Sequence, residues 1–250
     1  MDFYQYLYYI ENIGGRYFMV AGLFFILFYF LLHKKIRHKK IQLRQPGNKD
    51  YLREIAYSMV TIAIFATVPL TMLHVPEIAR TTTFYKDIET HGTLYFILGF
   101  PILFLLHDTY FYWMHRLMHH RKLFHTVHLV HHKSVNPSPW AAYAFHPLEA
   151  IAEAGIFIIF LYTIPIHPMH LAVFFFFMIV YNVYGHLGYE LYPKGFNRHW
   201  IGKWINTSVN HNQHHQYFRG NYGLYFTFWD RIMGTLRKDY DKRFEEVTSK

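Results

Sequence analysis

The chain has 250 residues, of which 52% are hydrophobic, 21% aromatic and only 16% charged, with a net charge of +9 and no cysteine. That balance lies on the apolar side of soluble domains and points to a membrane; the missing cysteine excludes disulfides, thiolate ligands and iron–sulfur clusters. The positive charges sit beside apolar runs, which fits a lipid headgroup surface and leaves no role for a nucleic acid partner.

Five apolar stretches follow one another along the chain, at 17–32, 55–73, 93–106, 154–166 and 171–185. A helix needs about 20 residues to cross a bilayer core. The second stretch meets that length cleanly and the first is somewhat short. The third meets it only if its helix continues through TYFYWM toward His115. The last two form a helical hairpin bent at PIHP, 165–168, that either crosses or dips into the membrane. The first stretch follows an acidic start, Asp2 and Glu11, and precedes a run of Lys and Arg, so it reads as a retained anchor rather than a cleaved signal. Segment 33–49 carries seven Lys and Arg and no acid, which makes it cytoplasmic. Counting crossings from there returns the chain to the cytoplasm at His115 and again at His186. The regions 115–146 and 186–215 are therefore expected on one membrane face. No repeat or linker interrupts the sequence, and a single membrane domain is expected over 1–250: membrane spans to residue 92, a histidine-rich catalytic region over 93–236 and a tail over 237–250.

Eight of the 20 histidines fall between His107 and His132. His115 and His119 are four apart. His128, His131 and His132 stand at i, i+3, i+4, and His211, His214 and His215 repeat that spacing. Helical positions three and four apart share a face, so each group aims its imidazoles at one point. Neutral imidazole is a ligand for iron, zinc, copper and nickel. Eight such side chains exceed the four of a tetrahedral site, and the number suits two metals. His107, Asp108, His146 and Asn182 flank the groups as further ligand or supporting positions. Asp108 lies seven residues before His115, where it is expected to accept the free ring N–H of that ligand. His33, His38, His74, His91, His167 and His170 are expected as interfacial side chains, His120 and His125 as surface ones, and Trp113 and Trp140 as interface anchors.

The sequence has no H-E-x-x-H, which sets aside the usual zinc hydrolase arrangement, and no E-x-x-H, which sets aside the carboxylate-bridged di-iron bundle. An almost purely imidazole site at a membrane surface remains. The stretches HDTYFYWMHRLMHH, HTVHLVHHKS, AFHPLEA, NVYGH and NTSVNHNQHHQYFRGNYGLYFTFWDRIMGT resemble the fatty acid hydroxylase / sterol desaturase superfamily over residues 100–236. The resemblance implies two iron ions (zinc as a replacement in purified protein), dioxygen as oxidant, and hydroxylation or desaturation of a sterol-like or fatty-acyl lipid. It places the HxxxH box on His115 and His119, the first HxxHH on His128, His131 and His132, and the last on His211, His214 and His215. His186 becomes a further ligand, with His107 and His146 as weaker candidates. No catalytic residue beyond the ligands is implied. Some members carry a second HxxxH where this chain has Asn182-x-x-x-His186, so Asn182 is expected to ligate weakly, to hold a water or to do neither, with one metal then under-coordinated or more labile. The chain has no nucleotide-binding glycine motif and no haem domain, so a separate donor is expected: a cytochrome, ferredoxin or reductase, or alternatively a pterin.

The expected fold is therefore an all-α integral membrane protein, with transmembrane helical hairpins and a cytoplasmic histidine-rich helical cap holding two metals. A bacterial inner membrane is favoured over the endoplasmic reticulum, because the chain is short and ends without a retrieval tail. A catalytically inactive structural relative and a membrane metal transporter or sensor are the competing readings.

Overall fold

The computed structural model describes residues 2–249, and the regular structure among them is helical apart from three isolated backbone bridges. Helix α1 (Phe3–Phe25) runs on through a π-helical turn at Ile26–Leu31. There follow α2 (Asn48–His74), the short α3 (Pro76–Ala79) and α4 (Gly92–Met118). Two single turns come next, α5 (Phe124–Val127) and α6 (Leu129–His132). The hairpin is α7 (Pro147–Thr163) and α8 (Pro168–Gly185), and the chain closes with α9 (Ser208–Tyr217), α10 (Phe228–Ile232) and α11 (Tyr240–Thr248).

Four helices are long and apolar enough to cross a membrane: Phe3–Leu31, Asn48–His74, Gly92–Met118 and Pro168–Gly185. The protein is an integral membrane protein. The first helix is longer than its apolar run because the tyrosine-rich segment before it is helical too, opened by Asp2 accepting from the Tyr4 N–H at 3.0 Å. The helix of the third stretch does run past His115. At 17 residues, α7 rises about 26 Å, a little short of the bilayer core.

Both hairpin helices begin with His-Pro. Proline at the first helical position has no N–H to leave unpaired, and the histidine before it accepts from the N–H two residues on: His146 from Leu148 at 3.3 Å and His167 from Met169 at 3.1 Å. His167 and His170 are thus not interfacial side chains. They are buried; His167 donates to Lys86 O at 3.0 Å and His170 to Phe96 O at 2.7 Å, which fastens the start of α8 to α4. Gly99 makes that crossing possible, since a Cβ there would lie 2.5 Å from the His170 ring. Trp140 is no interface anchor either. It packs on Tyr17 and Phe25, and its carbonyl accepts from the Tyr17 hydroxyl at 2.8 Å. Fully buried Tyr17, Leu103, Phe160 and Phe174 mark the core shared by α1, α4, α7 and α8.

The basic segment after α1 lies against the histidine-bearing end of the bundle. Ile41 N donates to Gly188 O at 3.0 Å, Glu190 N to Lys39 O at 3.0 Å, and Gln42 Nε2 to Asn212 Oδ1 at 2.8 Å. The ends of α4 and α8, the loop after α6 and all of α9 meet at that same end.

Candidate metal centre

Nine histidines converge there in two adjoining groups. His115, His119, His128, His132 and His214 form one; His131, His186, His211 and His215 form the other. The eight expected from the box spacings and His186, expected from the resemblance, are all present, and all point Nε2 inward. In the first group His115–His128 are 3.0 Å apart between Nε2 atoms, and His128–His132, His119–His132, His119–His214 and His132–His214 are each 3.1 Å apart. In the second, His186–His211, His186–His215, His211–His215 and His131–His186 span 3.0, 3.1, 3.2 and 3.4 Å. Metal–imidazole bonds of ~2.1 Å put neighbouring ligand nitrogens ~3.0–3.4 Å apart for right-angled to tetrahedral geometry, which is the range seen.

The protonation pattern makes the fit chemical as well as geometric. His115 Nδ1 donates to Tyr222 O at 2.9 Å, His186 Nδ1 to Asn182 O at 2.7 Å, His214 Nδ1 to Gly220 O at 2.8 Å and His215 Nδ1 to Ser134 O at 3.0 Å. A carbonyl only accepts, so each Nδ1 carries the proton and each Nε2 keeps a bare lone pair. Lone pairs 3 Å apart repel unless a cation sits between them. Charge on the rings is no remedy: burial, reinforced by the neighbouring imidazoles, holds His128, His131, His132, His211 and His215 well below their usual value of 6.5, and burial brings His186 down to about 4. The residues fit a pair of metal ions.

His128 is held differently from the rest. Its Nδ1 lies 2.7 Å from Glu149 Oε1, both side chains buried. Glu149 was not singled out from sequence, although it stands on the first turn of α7, in the AFHPLEA stretch, where its own helix points it back at the cluster. Two more acids were missed. Glu190 accepts from Val209 N and Tyr192 N, each at 3.0 Å, and from the Tyr184 hydroxyl at 2.8 Å, fixing the start of α9. Asp230 accepts from Tyr222 N at 2.9 Å and Gly223 N at 2.8 Å, holding the loop whose carbonyl takes the His115 proton.

The four flanking candidates lie outside both groups. Asp108 does not serve His115: it accepts from Tyr225 N at 2.9 Å and Phe226 N at 3.2 Å, because the loop after α9 folds over α4 and supplies the His115 acceptor itself. His107 bonds the Tyr225 hydroxyl at 2.9 Å. His146 caps α7. The Asn182 amide donates to Ala142 O at 2.8 Å, so the second group has four imidazoles where the first has five.

An apolar cavity of about 340 Å³ leads to the groups from within the bundle. Tyr8, Tyr9 and Pro168 line one end; Phe111, Phe145 and Asn182 line the other. The Phe111 ring sits 5.0 Å from that of His115, and Phe145 5.1 Å from His131. The volume is that of a small-molecule site.

Fold and site together define a helical membrane protein with an apolar cavity beside two buried imidazole clusters. The chain belongs to the fatty acid hydroxylase family, whose model matches residues 100–235. It is 30% identical over 215 residues to Delta(7)-sterol 5(6)-desaturase ERG3B of Gibberella zeae, covering 84% of this chain and 62% of that protein. It is 28% identical over 232 residues to lathosterol oxidase of Rattus norvegicus, covering 91% and 73%. The human lathosterol oxidase is 27% identical over 233 residues, with 91% and 73% covered. The chain spans 60–65% of the length of three fungal desaturases it matches. These relatives are fungal and mammalian and do not favour the bacterial inner membrane expected above. No solved structure matches the chain.

Proposed function

We propose that this protein is a membrane-bound di-iron oxygenase that desaturates or hydroxylates a lipid, with a sterol as the favoured substrate. The observation that carries this reading is the set of nine inward Nε2 atoms beside an apolar cavity. One iron would be held by His115, His119, His128, His132 and His214, the other by His131, His186, His211 and His215. When bound, the iron pair supplies dioxygen activation and hydrogen removal from an unactivated C–H bond.

The chain's own residues set the conditions for that chemistry. Neutral imidazoles add no negative charge, so the metals keep their full charge and oxidising strength. Glu149 and the four carbonyl acceptors hold the ring protons at Nδ1 and fix the tautomer. Phe111 and Phe145 lie between the ligands and the cavity and exclude water. The cavity walls position the apolar substrate, and such positioning decides whether one hydrogen leaves or two. The sterol preference rests on the printed activities of the relatives. Electrons would come from a separate protein, for which the basic segment 33–49 and exposed Arg121, Lys122 and Lys133 at the same end offer a docking charge. By the positive-inside rule that end is cytoplasmic.

Metal content per chain, measured after purification in mild detergent under low oxygen beside a His128→Ala, His132→Ala variant, tests the reading. About two irons per wild-type chain, lost in the variant, together with turnover of a Δ7-sterol by the reduced protein, supports it. Folded protein with no bound metal overturns it.

A further inference from the structure

The cavity is not uniformly apolar, and its polar groups are unevenly placed. At the end near the imidazoles stand His107, Asn182 and Glu153. His107 and Asn182 each spend one polar atom on a neighbour, Tyr225 and Ala142. Glu153 has neither a hydrogen bond nor an ion pair with the described residues; the cation nearest in the lining, Arg16, bonds Asn12 O instead. Glu153 is partly exposed to this cavity, and a carboxyl facing an apolar space without a protein partner calls for a ligand that supplies one.

Its position says which part of a ligand. Glu153 follows Glu149 by one helical turn on the same face of α7, so it lies about 6 Å along the axis from the carboxylate that holds His128. The unpartnered acid is therefore at the reacting end of the cavity. From there the lining continues along α8, past Met178, Phe175 and Leu171, toward Pro168.

We infer that Glu153 is a positioning residue that binds the hydroxyl of the substrate, so that the lipid enters polar end first and its apolar tail lies along α8. This rests on the sterol reading above and explains a reaction site near C5. A sterol carries its hydroxyl at C3, the next ring carbon but one from C5. A group anchored beside the metal ligands by that hydroxyl presents the neighbouring ring carbons to them, and not the distant side chain. A lipid hydroxyl donates to Glu153 and accepts from the Asn182 amide or the His107 ring.

The test compares binding of a Δ7-sterol with that of its 3-deoxy analogue to the purified full-length protein in detergent, followed by quenching of its aromatic fluorescence. Wild type is expected to favour the alcohol by roughly two- to tenfold, the scale of a hydrogen bond between uncharged groups. Glu153→Leu should bind the analogue undiminished and lose the preference, while Glu153→Gln keeps part of it. Metal content and far-ultraviolet circular dichroism of both variants should match wild type. A preference that survives in Glu153→Leu, or wild-type protein that binds both sterols equally, overturns hydroxyl recognition and leaves the sterol reading standing. Wild-type protein that binds neither sterol overturns both.

Discussion

At the residue scale the site is a division of labour between the two nitrogens of one ring. In His115, His128, His186, His214 and His215, Nδ1 faces a carbonyl or Glu149 while Nε2 faces the cluster. Glu149 is the one carboxyl group in this support. Glu149→Gln preserves shape but replaces that carboxyl, and metal affinity is expected to fall ten- to a hundredfold, measured by competition with a chelator. An unchanged affinity would mean that the carboxylate does not strengthen His128. Acid sensitivity follows from the same rings. The His186 imidazole stays neutral in the fold down to about 4, whereas its usual value is 6.5. Between those values the unfolded chain takes up a proton that the folded chain refuses, so stability is full above 6.5 and declines as pH falls toward 4. The other buried ligands shift in the same direction. Metal-free protein should therefore melt at a lower temperature at about pH 5 than at about pH 7.5. Equal melting temperatures would show that the rings are already charged in the fold.

At the element scale, α9 supplies ligands to both groups: His214 to the first, His211 and His215 to the second. It is a short polar helix whose ten residues are nearly all buried, so its placement depends on its caps. Thr207 Oγ1 accepts from Asn210 N at 3.1 Å at its start, and Glu190 reaches in from the preceding loop to accept from Val209 N. Glu190→Ala strands two buried donors, Val209 N and the Tyr184 hydroxyl, each costing about 1–3 kcal/mol. The expected result is a lower melting temperature together with loss of metal from both groups. Loss from one group only, seen as half the wild-type metal content, would show that α9 is held by its ligands and not by Glu190. The loop after α9 has a comparable constraint at Gly223, where a Cβ would lie 2.3 Å from Phe226 O and push Tyr222 away from His115.

At the scale of the whole molecule, the bundle turns one end into an imidazole-rich cap and leaves the other as cavity wall and short loops. The basic segment 33–49 and the clusters share an end by direct hydrogen bonds, which the count of crossings also requires. The absence of cysteine makes this testable without a background. Single cysteines placed by Arg44→Cys and Lys133→Cys, both at exposed positions, should react with a membrane-impermeant thiol reagent from the cytoplasmic side only. A cysteine placed by Glu89→Cys, exposed in the loop before α4, should react from the opposite side only. Labelling of Glu89→Cys and Arg44→Cys from one side would refute a crossing of the membrane by α2.

Much of this was legible in the sequence because the signals are local. Apolar runs near bilayer length marked the spans, and i, i+3, i+4 spacing marked the imidazoles, since the helix brings such positions to one face whatever surrounds them. The PIHP bend announced the hairpin for the same reason. What acts across the chain was hidden. Asp108 looked like the partner of His115 by helical spacing, but a loop more than a hundred residues later took that place, and nothing in a spacing reports which distant carbonyl will fold over a ring. The assignment of His131 to one group and His132 to the other was hidden too, because adjacent residues on one turn diverge toward different partners. Glu149, Glu190 and Glu153 gave no signal as isolated acids. The sequence determined that there would be imidazole clusters at one end of a membrane bundle. Tertiary packing decided how they divide, which groups hold their protons and where the cavity meets them, because those contacts join residues that only the folded chain brings within bonding distance.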